Sequence, residues 1–116
     1  NWWLTDYLSF GKEQPSAFGI QAIETTEVLC IDWSNQTLLF QQFPKLESYF
    51  RQIYQVAYGA SQRRIKYLYD FSREEVYEHF KTNFPDFANR IPQQYLASYL
   101  HMTPEYLSEM KKKRRS

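Results

Sequence analysis

The stretch that decides the fold of this chain is residues 91–113, IPQQYLASYLHMTPEYLSEMKKK. It holds two series of apolar residues at spacings of three and four, and such spacing places each series on one face of a helix. The first series is Leu96, Ala97, Tyr99 and Leu100, and the second is Tyr106, Leu107 and Met110. The spacing predicts two short amphipathic helices joined by a tight turn.

The residues around the two helices support the same boundaries. Pro92 and Pro104 each lie near a predicted helix start, where the missing N–H costs nothing. Thr103 precedes Pro104 and is suited to the N-cap position. Ala97 is small, so the backbone of a second helix can approach closely there. The pattern is typical of a helix-turn-helix, whose second helix enters the major groove of DNA.

Two features of this region also have explanations that involve no DNA. Paired amphipathic helices with a short turn occur in helical bundles that never bind nucleic acid. The basic run at residues 111–115 can be a solvated tail. Its position after the second helix favours contacts with phosphate groups. Five of the eight basic residues between 71 and 116 lie in this run, so positive charge is concentrated at one end of the chain.

Residues 91–113 resemble the helix-turn-helix of the Crp/Fnr transcription regulators, especially members with the pattern IPQxYLASYLGxTPExLSxxRKK. The preceding residues 72–90, SREEVYEHFKTNFPDFANR, are similar to the family's short helix and connector. Residues 2–32 resemble the last strands of its cyclic-nucleotide-binding β-roll. The resemblance implies an α+β chain, mostly α, with three parts: the end of a β-roll and a short helix at 1–43, a long dimerisation helix at 44–70, and a DNA-binding domain at 71–116.

The resemblance implies that the second helix, 103–113, reads a palindromic DNA site. Family members often present Arg, Glu and Arg to the bases, and the matching residues here are Pro104, Glu105 and Glu109. Glu105 can accept a hydrogen bond from a cytosine amino group. His101 stands in the turn where the family usually has Gly, and the position calls for a left-handed backbone. The predicted DNA contacts are Gln93, Gln94, Thr103, Glu105, Tyr106, Ser108, Glu109, Lys111, Lys112, Lys113 and Arg114.

In the β-roll portion we expect strands at residues 17–22 and 26–32, with Cys30 as a buried thiol in the second strand. The family's phosphate-binding cassette carries a Gly-Glu pair and then an Arg-Ser or Arg-Thr pair. The candidate effector residues at these positions are Asp6, Ser16 and Ala17. Ser16 carries no positive charge where the family has Arg, so we expect no cyclic nucleotide cofactor. The chain begins at Asn1 without an initiator Met, and we interpret it as a C-terminal portion.

The predicted long helix from Pro44 carries two apolar stripes. A helix with two apolar faces must bury both. One face is expected to cover the β-roll and the other to pair with a second subunit, as the family resemblance implies. The alternative is a core helix of a single chain without a dimer. Further along, Ser72 and Glu75 have the spacing of a capping box and predict a new helix that ends near Phe84.

Composition excludes several classes of protein. One cysteine excludes an internal disulfide, and His79 and His101 have no partner at metal-ligand spacing. We find no GxSxG and no phosphate-binding loop, so we expect no enzyme and no metal site. No apolar run approaches the roughly 20 residues that a membrane span needs. We expect a cytoplasmic protein with DNA, a second copy of itself and RNA polymerase as partners, and no membrane.

The sequence therefore predicts a dimeric, DNA-binding transcription regulator of Crp/Fnr type. The alternative is a degenerate member of that family that serves as a dimerisation or protein-binding module without specific DNA recognition. A third hypothesis, a cyclic-nucleotide-gated regulator of enzymes, is weakened by Ser16 and by the predicted helix-turn-helix.

Overall fold

The computed structural model describes residues 2–115, and the chain divides into two compact units, Asn1–Val56 and Ala57–Ser116. The described residues form seven helices. The helices in chain order are α1 (Tyr7–Lys12), α2 (Trp33–Gln42), α3 (Pro44–Asp70), α4 (Arg73–Asn83), α5 (Pro85–Arg90), α6 (Gln93–Tyr99) and α7 (Pro104–Arg115). The chain is thus rich in α-helix, and the predicted helix from 44 to 70 is confirmed.

Local side-chain caps account for several helix starts. The Ser72 hydroxyl accepts from the backbone N–H of Glu75, whose carboxylate accepts from the N–H of Ser72. The predicted capping box is therefore confirmed. Asp32 caps α2 through the N–H of Asn35, 2.7 Å from its carboxylate. These short-range bonds satisfy N–H groups that the first turn of a helix leaves unpaired.

The first unit packs around one aromatic side chain. Phe50 of α3 is buried, and its ring centroid lies 4.7 Å from that of Trp3 and 5.4 Å from that of Phe40. A second contact joins Tyr7 and Tyr54, whose ring centroids are 4.5 Å apart. The Trp3–Phe50 pair and the Tyr7–Tyr54 pair are both edge-on. The quadrupole of aromatic rings favours this arrangement. This cluster holds the first turns of α3 against α1 and α2.

The predicted strands at residues 17–22 and 26–32 are not formed, and no strand occurs anywhere in residues 2–115. A strand satisfies its backbone groups only by pairing with a neighbour, and these residues have no paired segment beside them in the described chain. Most of their apolar side chains are exposed to solvent, and Leu29 is 99% exposed. Cys30 is exposed as well, so the prediction of a buried thiol is wrong.

The second unit has a continuous apolar core built from α4, α6 and α7. Leu96, Ala97 and Leu107 are almost completely buried. The buried cluster consists of Tyr77, Phe80, Leu96, Ala97, Leu100, Met102, Leu107 and Met110. The predicted apolar faces of both helices in residues 91–113 therefore enter one core, except that Tyr99 stays largely exposed and Tyr106 packs at the rim.

Within this unit, the end of α3 contacts α4 and α6. The Arg64 guanidinium lies 3.7 Å from the centroid of the Tyr99 ring and donates to the Tyr99 carbonyl at 2.6 Å. It therefore both stacks on the last residue of α6 and satisfies a carbonyl that the helix end leaves open. The Tyr67 ring lies 4.5 Å from the His79 ring of α4. The two contacts fix where α4 and α6 lie along the last turns of α3.

The burial of Leu107 generates a stability prediction. Leu107→Ala should lower the free energy of unfolding of the second unit by about 2–5 kcal/mol, because it removes apolar contacts and leaves a cavity. Chemical denaturation followed by circular dichroism measures the change. The matched control is Leu29→Ala at the exposed position, which should stay within about 0.5 kcal/mol of wild type. Equal losses for the two variants would contradict the core described above.

Candidate nucleic-acid interface

The turn between α6 and α7 is closed by backbone hydrogen bonds. His101 has a left-handed backbone with φ 56°, as the sequence predicts for this position. The Met102 N–H donates to the Ala97 carbonyl at 2.8 Å, and the His101 N–H donates to the Ser98 carbonyl at 3.1 Å. These two bonds form a Schellman motif, which ends α6 and turns the chain sharply toward α7.

Two side chains set the start of α7 relative to α6. The Thr103 hydroxyl accepts from the N–H of Tyr106 at 3.2 Å, so the predicted N-cap is confirmed. The Gln93 side-chain amide donates to the carbonyl of Pro104 at 3.1 Å. Gln93, a predicted DNA contact, thus joins the first turns of both helices, while its neighbour Gln94 is exposed on the same turn of α6.

The buried residues of α7 determine which side chains face outward. Leu107 and Met110 face the core, and at 3.6 residues per turn the opposite side of the helix carries Glu105, Glu109 and Lys112. All three of these side chains are exposed, and Ser108 beside them is half-buried. The outer face of α7 therefore begins acidic and ends basic.

Helix α4 occupies two of the predicted DNA contacts. The Tyr106 hydroxyl donates to the Glu74 carboxylate, and the Arg114 guanidinium forms an ion pair with Glu78. Neither contact was predicted from the sequence. The i, i+4 spacing of Glu74 and Glu78 does place them on one face of a helix, but spacing within α4 says nothing about which helix lies opposite.

Two cation–π contacts accompany these polar bonds. The Arg73 guanidinium lies 5.2 Å from the centroid of the Tyr106 ring, and the Lys111 ammonium lies 5.7 Å from that of Tyr77. Both distances are within the range at which a cation is attracted to an aromatic face. The side of α7 that adjoins α4 is therefore bound by α4, from its first turn at Tyr106 to the basic run.

The hydrogen bond between Tyr106 and Glu74 shifts the pKa of both groups. The bond from Tyr106 is the main cause that lowers the pKa of Glu74 below its ordinary value, with Arg114 and Lys113 contributing through their charges. The same bond raises the pKa of Tyr106. A lowered carboxyl pKa stabilises the fold above the unfolded pKa and loses that effect as the pH falls. The contact is therefore fully formed around neutral pH.

The basic run at the end of α7 can stabilise the helix electrostatically, independently of any phosphate binding. The last turn carries Lys112, Lys113, Arg114 and Arg115. Positive side chains there interact favourably with the partial negative charge at a helix C-terminus. The basic composition of this turn is therefore consistent with stabilisation of the helix end as well as with phosphate binding.

The candidate effector residues lie in the first unit. Asp6 accepts hydrogen bonds from the hydroxyls of Ser9 and Ser16, each at 2.8 Å, and the Ser16 hydroxyl oxygen accepts from the N–H of Phe18 at 3.0 Å. The bond from Ser16 is the largest cause that lowers the pKa of Asp6. Asp6 and Ser16 thus come together, but around a negative charge that repels a phosphate. Ala17 is exposed and adds no polar side chain.

No group of three or more His, Cys, Asp or Glu side chains in residues 2–115 is placed to hold a metal ion. None of the helices in that range combines the length and the apolar content that crossing a membrane requires.

Comparison of the chain with models of protein families, with curated proteins and with solved structures gave no match.

The surroundings of Asp6 generate a prediction about ligands. Cyclic AMP and cyclic GMP should give no saturable heat when titrated calorimetrically into this chain, because a buried phosphate needs a compensating cation and Ser16 supplies none. A missing charge-assisted bond costs about 1.5–3 kcal/mol, or roughly one to two decades of affinity. Micromolar or tighter binding of either nucleotide would contradict the prediction. Lys12→Ala, which removes the basic residue nearest to Ser16 in the sequence, would then test whether Lys12 supplies the compensating cation.

Proposed function

We propose that the second unit is a DNA-binding domain of the helix-turn-helix class, with α7 as the helix that enters the major groove. The observation that carries the proposal is the outer face of α7. It presents Glu105, Glu109 and Lys112 away from the core, with Ser108 half-buried beside them, and it continues into the basic end of the helix. A groove-reading helix needs polar side chains that can reach base edges and cations that can meet phosphates.

The turn geometry supports the proposal. The left-handed His101 and the Thr103 cap make α7 begin at a defined residue, so the rotation of its outer face is fixed. Glu105 lies in the first turn of α7, and N-terminal residues of a recognition helix are the ones that contact bases. A carboxylate there can accept from the amino group of cytosine.

More narrowly, we propose a transcription regulator of the Crp/Fnr type that acts in the cytoplasm as a homodimer and contacts RNA polymerase. Support comes from the resemblance of residues 2–32, 72–90 and 91–113 to that family, in the family's order. A dimer would place two α7 helices about 34 Å apart on a palindromic site, one turn of DNA.

The exposed side chains of α3 support the dimer. Tyr58, Ile65 and Tyr69 are 68%, 57% and 86% exposed. Their spacing of seven and four residues aligns them along one side of the helix. A row of solvent-exposed aromatic and branched apolar side chains is typical of an interface between helices.

A second candidate function is a dimerisation or protein-binding module without specific DNA recognition. The observation that favours it is the occupation of Tyr106 and Arg114 by α4. The exposed Glu109 adds a negative charge to the outer face of α7. A helix face on which α4 holds Tyr106 and Arg114, and on which Glu109 is negatively charged, would bind phosphate weakly.

The basic end of α7 generates the test of DNA binding. Replacing Lys112, Lys113 and Arg115 together by Gln should reduce the slope of log affinity against log salt by about 3 units, since each cation releases about 0.9 counterion from the duplex. Fluorescence anisotropy with a labelled duplex of mixed sequence measures the slope. A charge-matched control replaces Lys12, Lys45 and Lys81 by Gln and should leave the slope unchanged. Identical slopes for the two variants would remove the end of α7 from the binding surface.

The row on α3 generates the test of assembly. Wild type should sediment as a dimer, and Ile65→Asp should sediment as a monomer, because an unpaired carboxylate cannot be buried between two helices. Val56 lies nine residues earlier, on the opposite side of α3, and is 73% exposed. Val56→Asp is therefore the matched control and should remain dimeric. A wild-type chain that stays monomeric at high concentration defeats the dimer proposal.

A further inference from the structure

The acidic face of α4 lies against the basic end of α7. Glu74 and Glu78, one helical turn apart, bind Tyr106 and Arg114 respectively. Arg114 belongs to the basic run, and its guanidinium forms a direct ion pair with the Glu78 carboxylate. The contact therefore pairs one of the presumed phosphate-binding cations with an internal anion.

The pair between Arg114 and Glu78 is accessible to solvent and to ligands. The side chain of Arg114 is 43% exposed and that of Glu78 is 40% exposed. Ion pairs at such positions are weak, because water screens the charges and two long side chains must be held in one geometry. A phosphate group can therefore compete with Glu78 for the guanidinium, because its oxygens can accept two hydrogen bonds from the guanidinium at once.

We propose that Glu78 sets the affinity of α7 for nucleic-acid phosphates by holding Arg114 in an internal ion pair that a phosphate must break. The proposal rests on the DNA-binding function proposed above and adds a regulatory contact to it. Glu74 assists by keeping the Tyr106 hydroxyl on the α4 side and by adding a second negative charge near the basic run.

The opposite role for Glu78 makes a different prediction. If Glu78 held Arg114 in the orientation that a phosphate needs, then removing the carboxylate would weaken binding. If Glu78 competes, removing it frees one cation, which strengthens binding and adds one counterion to the salt dependence. The sign of the change distinguishes a competing anion from a positioning residue.

The experiment compares Glu78→Gln with wild type by fluorescence anisotropy, using a labelled DNA duplex of mixed sequence over a range of salt concentrations. We expect the slope of log affinity against log salt to steepen by about 0.9, and the affinity near 0.1 M salt to rise about five- to tenfold. Glu78→Asp keeps the charge but shortens the arm, and should change both quantities in the same direction by less.

Two controls separate the ion pair from net charge. Asp86→Asn changes net charge equally from an exposed position on α5 and should leave the slope at the wild-type value. In the Arg114→Gln background, Glu78→Gln should have no more effect than Asp86→Asn, because the cation that it would release is absent. Circular dichroism of each variant verifies the fold, and Glu78→Asp serves as the test if Glu78→Gln unfolds.

Every outcome decides the proposal. Stronger binding and a steeper slope for Glu78→Gln, dependent on Arg114, support it. Binding equal to that of Asp86→Asn, or weaker than wild type, overturns it and leaves the DNA-binding function standing. If neither wild type nor Glu78→Gln binds the duplex even at low salt, then the DNA-binding function itself is wrong, and the inference with it.

Discussion

Burial of Leu107 beside Leu96 and Ala97 is the interaction on which the second unit depends. Because Leu107 and Met110 must face the core, the rotation of α7 about its own axis is determined, and with it the set of side chains that face outward. The small Ala97 lets this core close, since its burial leaves no room for a larger side chain. The orientation of the outer face of α7 is therefore set by apolar packing before any charge is considered.

The polar contacts between α4 and α7 form at the rim of that core. Tyr106 belongs to both the apolar core and these polar contacts. Its ring packs against the buried cluster, and its hydroxyl donates to the Glu74 carboxylate. A carboxylate at this rim affects α7 in two ways. It helps to fix the helix against α4, and it reduces the positive potential that a polyanion would meet. Stability and binding thus make opposite demands on the same acidic residues.

The features that the sequence could predict are those decided within a few residues. The helix from Pro44, the Ser72–Glu75 box, the Thr103 cap and the left-handed His101 all depend on local spacing and local hydrogen bonds. The apolar faces of α6 and α7 were largely predictable for the same reason. The resemblance to a β-roll went further than the described chain supports, because strands exist only through pairing partners and residues 17–32 have none there.

Contacts between elements distant in sequence escaped prediction. Glu78 and Arg114 are 36 positions apart, and no periodicity in either helix indicates that they meet. The stacking of Arg64 on Tyr99 is of the same kind. Such pairs become visible only when the order and direction of helices are known. For the candidate site this means that its residue types were foreseeable, whereas the carboxylates of α4 that contact Tyr106 and Arg114 were not.

The left-handed turn residue has a thermodynamic consequence. A side chain at φ 56° is strained relative to glycine, by up to about 1–2 kcal/mol for an ordinary residue and by less for His, which tolerates this region better. Glycine would relieve the strain, yet it gives the unfolded chain more freedom and so costs about 0.4–1 kcal/mol. The two effects nearly cancel. An exposed imidazole therefore stands between α6 and α7 at almost no net cost in folding free energy, and the choice of residue there is open to selection for something other than stability.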